Sequence, residues 1–143
     1  MARPPTLAAA GAVLVLLNGL WHLLLWQDRY RDLPDQVPGV EIVQLGFPVQ
    51  ALVSVVLAVL LVAWPRRIVV LAAIVLELGS LFALVDARTA TVLGWEENMW
   101  DNAAVGVLVV EILAVVVLGA LLASTRALGR TSDRSPPQSV TSH

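Results

Sequence analysis

Five polar side chains interrupt otherwise apolar runs of this chain: Asn18, His22, Gln50, Glu77 and Glu111. An ionisable group at the centre of a bilayer costs about 2.5–3.5 kcal/mol on insertion scales, so it normally faces a bundle interior, a partner or water. Glu77 and Glu111 each lie about ten residues inside their runs, which at about 1.5 Å per residue is mid-depth. Antiparallel neighbouring helices would set the two carboxyls level. Ala73, Glu77 and Ser80 fall at i, i+4 and i+7, a small or polar stripe that lets another helix approach. Ala104, Glu111 and Ala114 form a weaker stripe of the same kind. Asn18 and His22 are four residues apart and share a helix face with Gly11 and Val15. Gln50 has a depth comparable to that of His22, so these residues can form a polar cluster that opens to one side.

Two chemistries fit such a cluster. In one, Glu77 and Glu111 exchange protons, with His22 and Asn18 linking them to the outer surface. In the other, neutral carboxyls hold helices together by hydrogen bonds within the bundle or toward a partner helix. No basic side chain lies at their depth, which favours neutral carboxyls over a salt bridge. Other chemistries have less support. The chain has no cysteine, so disulfides, thiol catalysis and iron–sulfur ligation are excluded. His22 is the single histidine within a span, so one chain offers neither a bis-histidine haem site nor a metal centre. Ser54 and Ser80 sit on apolar runs without an evident base, and there is no phosphate-binding glycine loop. Asp28, Asp32, Asp35, Glu96 and Glu97 read as a solvated acidic face. The expectation is a protein with no catalytic residues, no metal and no cofactor.

The elements that position these residues follow from composition. Of 143 residues 58% are hydrophobic and 14% charged, and the mean hydropathy is +0.81. Soluble domains run at about 45–50% apolar and 25% charged, so this chain cannot coat a soluble core. Four runs approach the roughly 20 apolar residues that a helix needs to cross hydrocarbon. The spacing predicts an all-α, polytopic, antiparallel four-helix membrane bundle, with helices over about 6–26, 42–64, 68–85 and 100–125. Residues 126–143, rich in Ser and Pro, read as a disordered cytoplasmic tail. The first run is too long for a signal core and is expected to stay as a helix. Pro48 either opens helix 2 or kinks it. The short connection Trp64-Pro65-Arg66-Arg67 makes helices 2 and 3 a tight hairpin. The outer loops are Asp28 to Val40 and Asp86 to Asp101.

All nine basic residues are arginine. Arg3, Arg66, Arg67, Arg126, Arg130 and Arg134 fall on one side, and Arg29, Arg31 and Arg88 on the other. That imbalance puts both termini in the cytoplasm, and the Arg, Ala, Val, Leu and Gly usage suggests a bacterial cell membrane. Nucleic-acid binding has no support. Trp26, Trp95 and Trp100 near the outer boundary and Trp64 near the inner one read as interface anchors.

With four helices, both ends inside and the polar pair Asn18 and His22 late in helix 1, the chain resembles the small DoxX-like membrane proteins of bacteria. The likeness covers length and hydropathy from Thr6 to Thr125. It implies a four-helix component associated with redox or quinone-linked complexes. On the residues alone, the leading expectation is a non-enzymatic accessory or scaffold subunit, embedded in lipid and assembled with another membrane protein or with itself. A small oligomeric proton-coupled transporter using Glu77 and Glu111 is the alternative, and a quinone- or lipid-binding component is a third.

Overall fold

The computed structural model describes residues 4–132 apart from 92 and 98, with only the backbone described for Pro4 and 126–132. Among the described residues the fold is all-helical: α1 (Pro4–Leu25), α2 (Val40–Ala63), α3 (Arg67–Thr89) and α4 (Asn102–Ser132), with a π-helical turn over Trp26–Tyr30 that prolongs α1. Four helices are long and apolar enough to cross a membrane, as the hydropathy predicts. They run up, down, up and down. In the ring, α1 lies between α2 and α4, and α4 lies between α1 and α3. The remaining pair, α2 and α3, makes the least extensive contact of the four neighbouring pairs.

Every helix overruns or shifts from its expected bounds. Helix 1 continues through Trp26–Tyr30, so the loop expected from Asp28 starts later. Helix 2 begins at Val40, next to Gly39 in the left-handed region at φ +73°. A side chain there would also strike the Gly94 carbonyl, so Gly39 is where the two long loops touch. Pro48 sits inside α2, beyond its first turn, and removes one backbone hydrogen bond there. Helix 3 runs on to Thr89, past the expected end at Val85, because its polar last turn is bonded: Thr89 Oγ1 donates to the Val85 carbonyl at 2.8 Å and Arg88 Nη1 to the Leu84 carbonyl at 3.1 Å. Helix 4 starts at Asn102, capped by Asp101 Oδ1, which accepts from Ala104 N at 2.8 Å. It continues to Ser132, so 126–132 is helix where a disordered tail was expected. The rest of that tail, 133–143, lies outside the described residues.

Packing differs along the bundle axis. Near the chain ends, Ala8, Ala12, Val15, Leu61, Val70 and Leu118 belong to one continuous apolar core. Small residues permit the approach: a Cβ on Gly19 would lie 2.4 Å from Ser54 Cβ, and one on Gly106 would lie 2.4 Å from the Trp21 ring. The outward faces carry exposed Leu45, Leu52, Val62, Val75 and Phe82, the apolar coat expected against lipid.

Candidate functional site

Asn18, His22, Glu77 and Glu111 are all buried, and three helices bring them together. Asn18 Nδ2, from α1, donates to Glu77 Oε2 on α3 at 2.8 Å. His22 Nδ1, one turn further on, meets the Asn18 backbone carbonyl at 2.9 Å. His22 Nε2 lies 3.1 Å from Ser80 Oγ, and the same hydroxyl is 2.5 Å from Glu111 Oε1 on α4. The i, i+4 spacing on α1 and the near i+3 spacing of Glu77 and Ser80 on α3 are what align these groups. Asn18 Oδ1, Glu77 Oε1 and Glu111 Oε2 are buried without a hydrogen-bond partner.

Ser80 therefore has a base, His22, that linear spacing does not reveal, which corrects the expectation of a serine without one. The arrangement is not that of a serine hydrolase, where a carboxylate orients the far side of the imidazole. Here the far side meets a backbone carbonyl, and the carboxyl lies beyond the serine.

The hydrogens in this chain of contacts can be counted. The Asn18 carbonyl only accepts, so His22 Nδ1 carries a hydrogen. If the ring is neutral, Nε2 is bare and Ser80 donates to it; the Ser80–Glu111 contact then needs the carboxyl's own proton. If the ring is an imidazolium, Nε2–H donates to Ser80 and Ser80 donates to a Glu111 carboxylate. Both forms hold the same hydrogens. They differ by the shift of two protons through one hydroxyl, which is the chemistry of a relay.

A cavity of about 240 Å³ ends on this relay. His22, Ser80 and Gln50 line its deep end, with Val43, Phe47, Ala83 and Val107 among its apolar walls. Gln50 is not bonded into the relay; it faces the cavity from α2 with Nε2 buried and without a partner. Phe47 stands edge-on between His22 and Tyr30, with ring centroids 5.0 and 4.9 Å away.

The loop end of the cavity is crossed by paired charges. Arg29 Nη1 and Asp101 Oδ2 are 2.5 Å apart. Arg88 Nη2 donates to Glu97 Oε2 at 3.1 Å, and the Tyr30 hydroxyl donates to the Glu97 carboxylate at 2.9 and 3.0 Å. The Ala104 amide, first, and Arg29, second, hold the Asp101 carboxyl below the usual carboxylate range. Glu97 is thus no free member of a solvated acidic face. Tyr30, Ser80, Arg88 and Glu97 are site residues that sequence reasoning did not single out for this role. The only hint for Ser80 was its place on the small-residue stripe.

The tryptophans divide. Trp64 and Trp100 are exposed, with the Arg66 and Arg88 guanidinium carbons 4.1 and 5.3 Å from their ring centroids. Trp95 instead lines the cavity and stands edge-on to Tyr30 at 5.8 Å. Trp26 is half-buried, and its Nε1 is enclosed without a partner. Among the described residues, no group of three or more His, Asp or Glu side chains is disposed to hold a metal ion. Comparison of the chain with known protein families, curated proteins and solved structures gives no match.

Proposed function

We propose that this protein is a small proton-coupled membrane carrier whose ligand occupies the cavity and whose coupling site is the relay His22, Ser80 and Glu111, with Asn18 and Glu77 behind it. The observation that carries this reading is the hydrogen-bonded line from a ring nitrogen at the cavity's deep end to a buried carboxyl. Among the described residues neither carboxyl is paired with an arginine, so protons, on the carboxyls or on His22, are the charges available to compensate them. A ligand that reaches Ser80 or His22 competes for a hydrogen of the relay and so shifts its proton distribution. The apolar core near the chain ends closes the other side, as one-sided access requires.

The accessory-subunit reading draws on carboxyls that would face a missing partner. Asn18 and Ser80 already engage both carboxyls within the chain, and this supports the carrier over the scaffold. The distribution of arginines supports a bacterial cell membrane with both termini cytoplasmic and the cavity opening outward.

The test is proton movement. The full chain is placed in phosphatidylcholine vesicles with a trapped pH indicator, and fractions of a total membrane-lipid extract are added. At least one fraction should move protons, and the Glu77→Gln, Glu111→Gln double variant should lose that response. A response that survives the double substitution removes the pair from the mechanism. Because the chain has two histidines, His22 and His143, nitrogen-15 histidine spectra of a His143→Ala variant report His22 alone. Ser80→Ala should uncouple that signal from Glu111→Gln; an identical response to Glu111→Gln with and without the hydroxyl would overturn the relay.

A further inference from the structure

The cavity has a second boundary, between α2 and α3. Gly46 on α2 and Gly79 on α3 both line it, both are exposed, and a Cβ on either would meet nothing within 4 Å. Gly46 lies about 9 Å into α2 from Val40, and Gly79 about 15 Å into α3 from Thr89, at about 1.5 Å per residue. Both positions fall within helices long and apolar enough to span a membrane, and the surface around them is apolar. Exposed Leu45, Val49, Leu78 and Phe82 flank it on the outer faces. The α2/α3 seam is also the most sparsely packed in the ring.

The chemistry of the lining restricts what could enter. Each charged side chain on the cavity wall is engaged: Arg29 with Asp101, Arg88 with Glu97, and Asp86 with the Leu93 amide at 2.9 Å. Among the described residues, a charged head group would find no free counter-charge. Gln50 Nε2 is a buried donor without a partner, which calls for an acceptor oxygen. A volume of about 240 Å³ far exceeds the space that one water needs and admits a compact polar head.

We infer that the gap between Gly46 and Gly79 is a lateral window through which an uncharged, single-headed amphiphile enters from the bilayer, its head oxygen accepting from Gln50 and its apolar tail left between α2 and α3. This rests on the reading of the cavity as a ligand site, and it adds the ligand class and the route.

The experiment uses the full chain in phosphatidylcholine vesicles and three photoactivatable diazirine probes: a monoacylglycerol, the matching fatty acid at a pH where it is ionised, and a small water-soluble alcohol. The monoacylglycerol should label the cavity-lining Phe47, Gln50 and Ala83 in the wild-type chain, and the ionised fatty acid should not. Gly46→Leu with Gly79→Leu should cut that labelling about tenfold, and Gln50→Leu about fivefold, the loss expected for one buried hydrogen bond. Gly119→Leu, at an equally open glycine away from the cavity, should leave it unchanged. Labelling confined to outward residues such as Leu45 and Phe82 overturns the window, and so does equal labelling by the ionised probe. Cavity labelling by the soluble alcohol that persists in the glycine double variant assigns the route to water and overturns the window, yet leaves the cavity a ligand site. If no probe reaches the cavity, both the window and the ligand site fall, whatever the histidine spectra show of the relay.

Discussion

The half of the bundle near the chain ends and the half near the long loops use the same four helices and fill the space between them in opposite ways. In the first, Leu61, Leu118 and Leu121 are fully buried among alanines in a hydrophobic core. In the second, the same helices hold a cavity, a five-residue polar cluster and a layer of paired charges. Glycine shows the contrast most simply. Gly19 is a contact, pressed against Ser54, while a side chain at Gly46 would meet nothing within 4 Å. One residue type thus allows close approach where its neighbour is a backbone or a small side chain, and leaves free space where no neighbour is supplied.

Perturbing one half at a time should separate them. Leu118→Ala removes a fully buried side chain from the closed half and should cost on the order of 3 kcal/mol in unfolding from mixed micelles; a loss no greater than that of an outward Leu52→Ala would mean the core is not the stabilising half. Gly19→Ala forces α1 and α2 apart and should destabilise by about 2 kcal/mol in the same assay. Asp101→Ala deletes the cap of α4 and should cost about 1 kcal/mol. Acid should reproduce this effect. Because the folded carboxyl sits below its usual range, its stabilisation is present above the unfolded value of about 3.9 and is lost as pH falls through the lower, folded value. The protection of the Ala104 amide, its exchange rate relative to the intrinsic rate at the same pH, should therefore hold at neutral pH and fall only below about pH 4. Gly46→Ala has the smallest effect and the opposite sign. With free space for the methyl and a helical backbone, it should stabilise by about 0.5–1 kcal/mol, and a loss of stability would show that Gly46 is packed after all.

The four spans were legible because a membrane helix is written in uninterrupted apolar residues. Their ends were not, because hydropathy marks where lipid stops and not where hydrogen bonding stops. Helix 3 passes Val85 on the strength of bonds made by Arg88 and Thr89, and helix 4 passes Thr125 outside any apolar run. Asn18, His22, Glu77 and Glu111 stood out as polar residues in apolar text, and the fold does gather them. Ser80 did not stand out, since one hydroxyl costs a membrane helix little and serine is also a common packing residue. Tyr30, Arg88 and Glu97 were invisible for another reason. Each is an ordinary boundary residue until tertiary contacts bring the end of α1, the end of α3 and the second loop to one point.

The π-helical turn over Trp26–Tyr30 sets the phase of everything beyond it. Its wider winding takes up one residue more than an α-helical path would, so Arg29 and Tyr30 are displaced by about 100° around the axis from where an uninterrupted α1 would put them. That displacement faces them toward Asp101 and Glu97. Removing a single residue from the turn, Gln27 for instance, would restore the ordinary winding and swing the guanidinium and the phenol off their carboxylates, while the relay one turn below kept its alignment. The loop-side charge layer and the proton path are therefore keyed to different registers of the same helix, and a one-residue deletion can dismantle the first without touching the second.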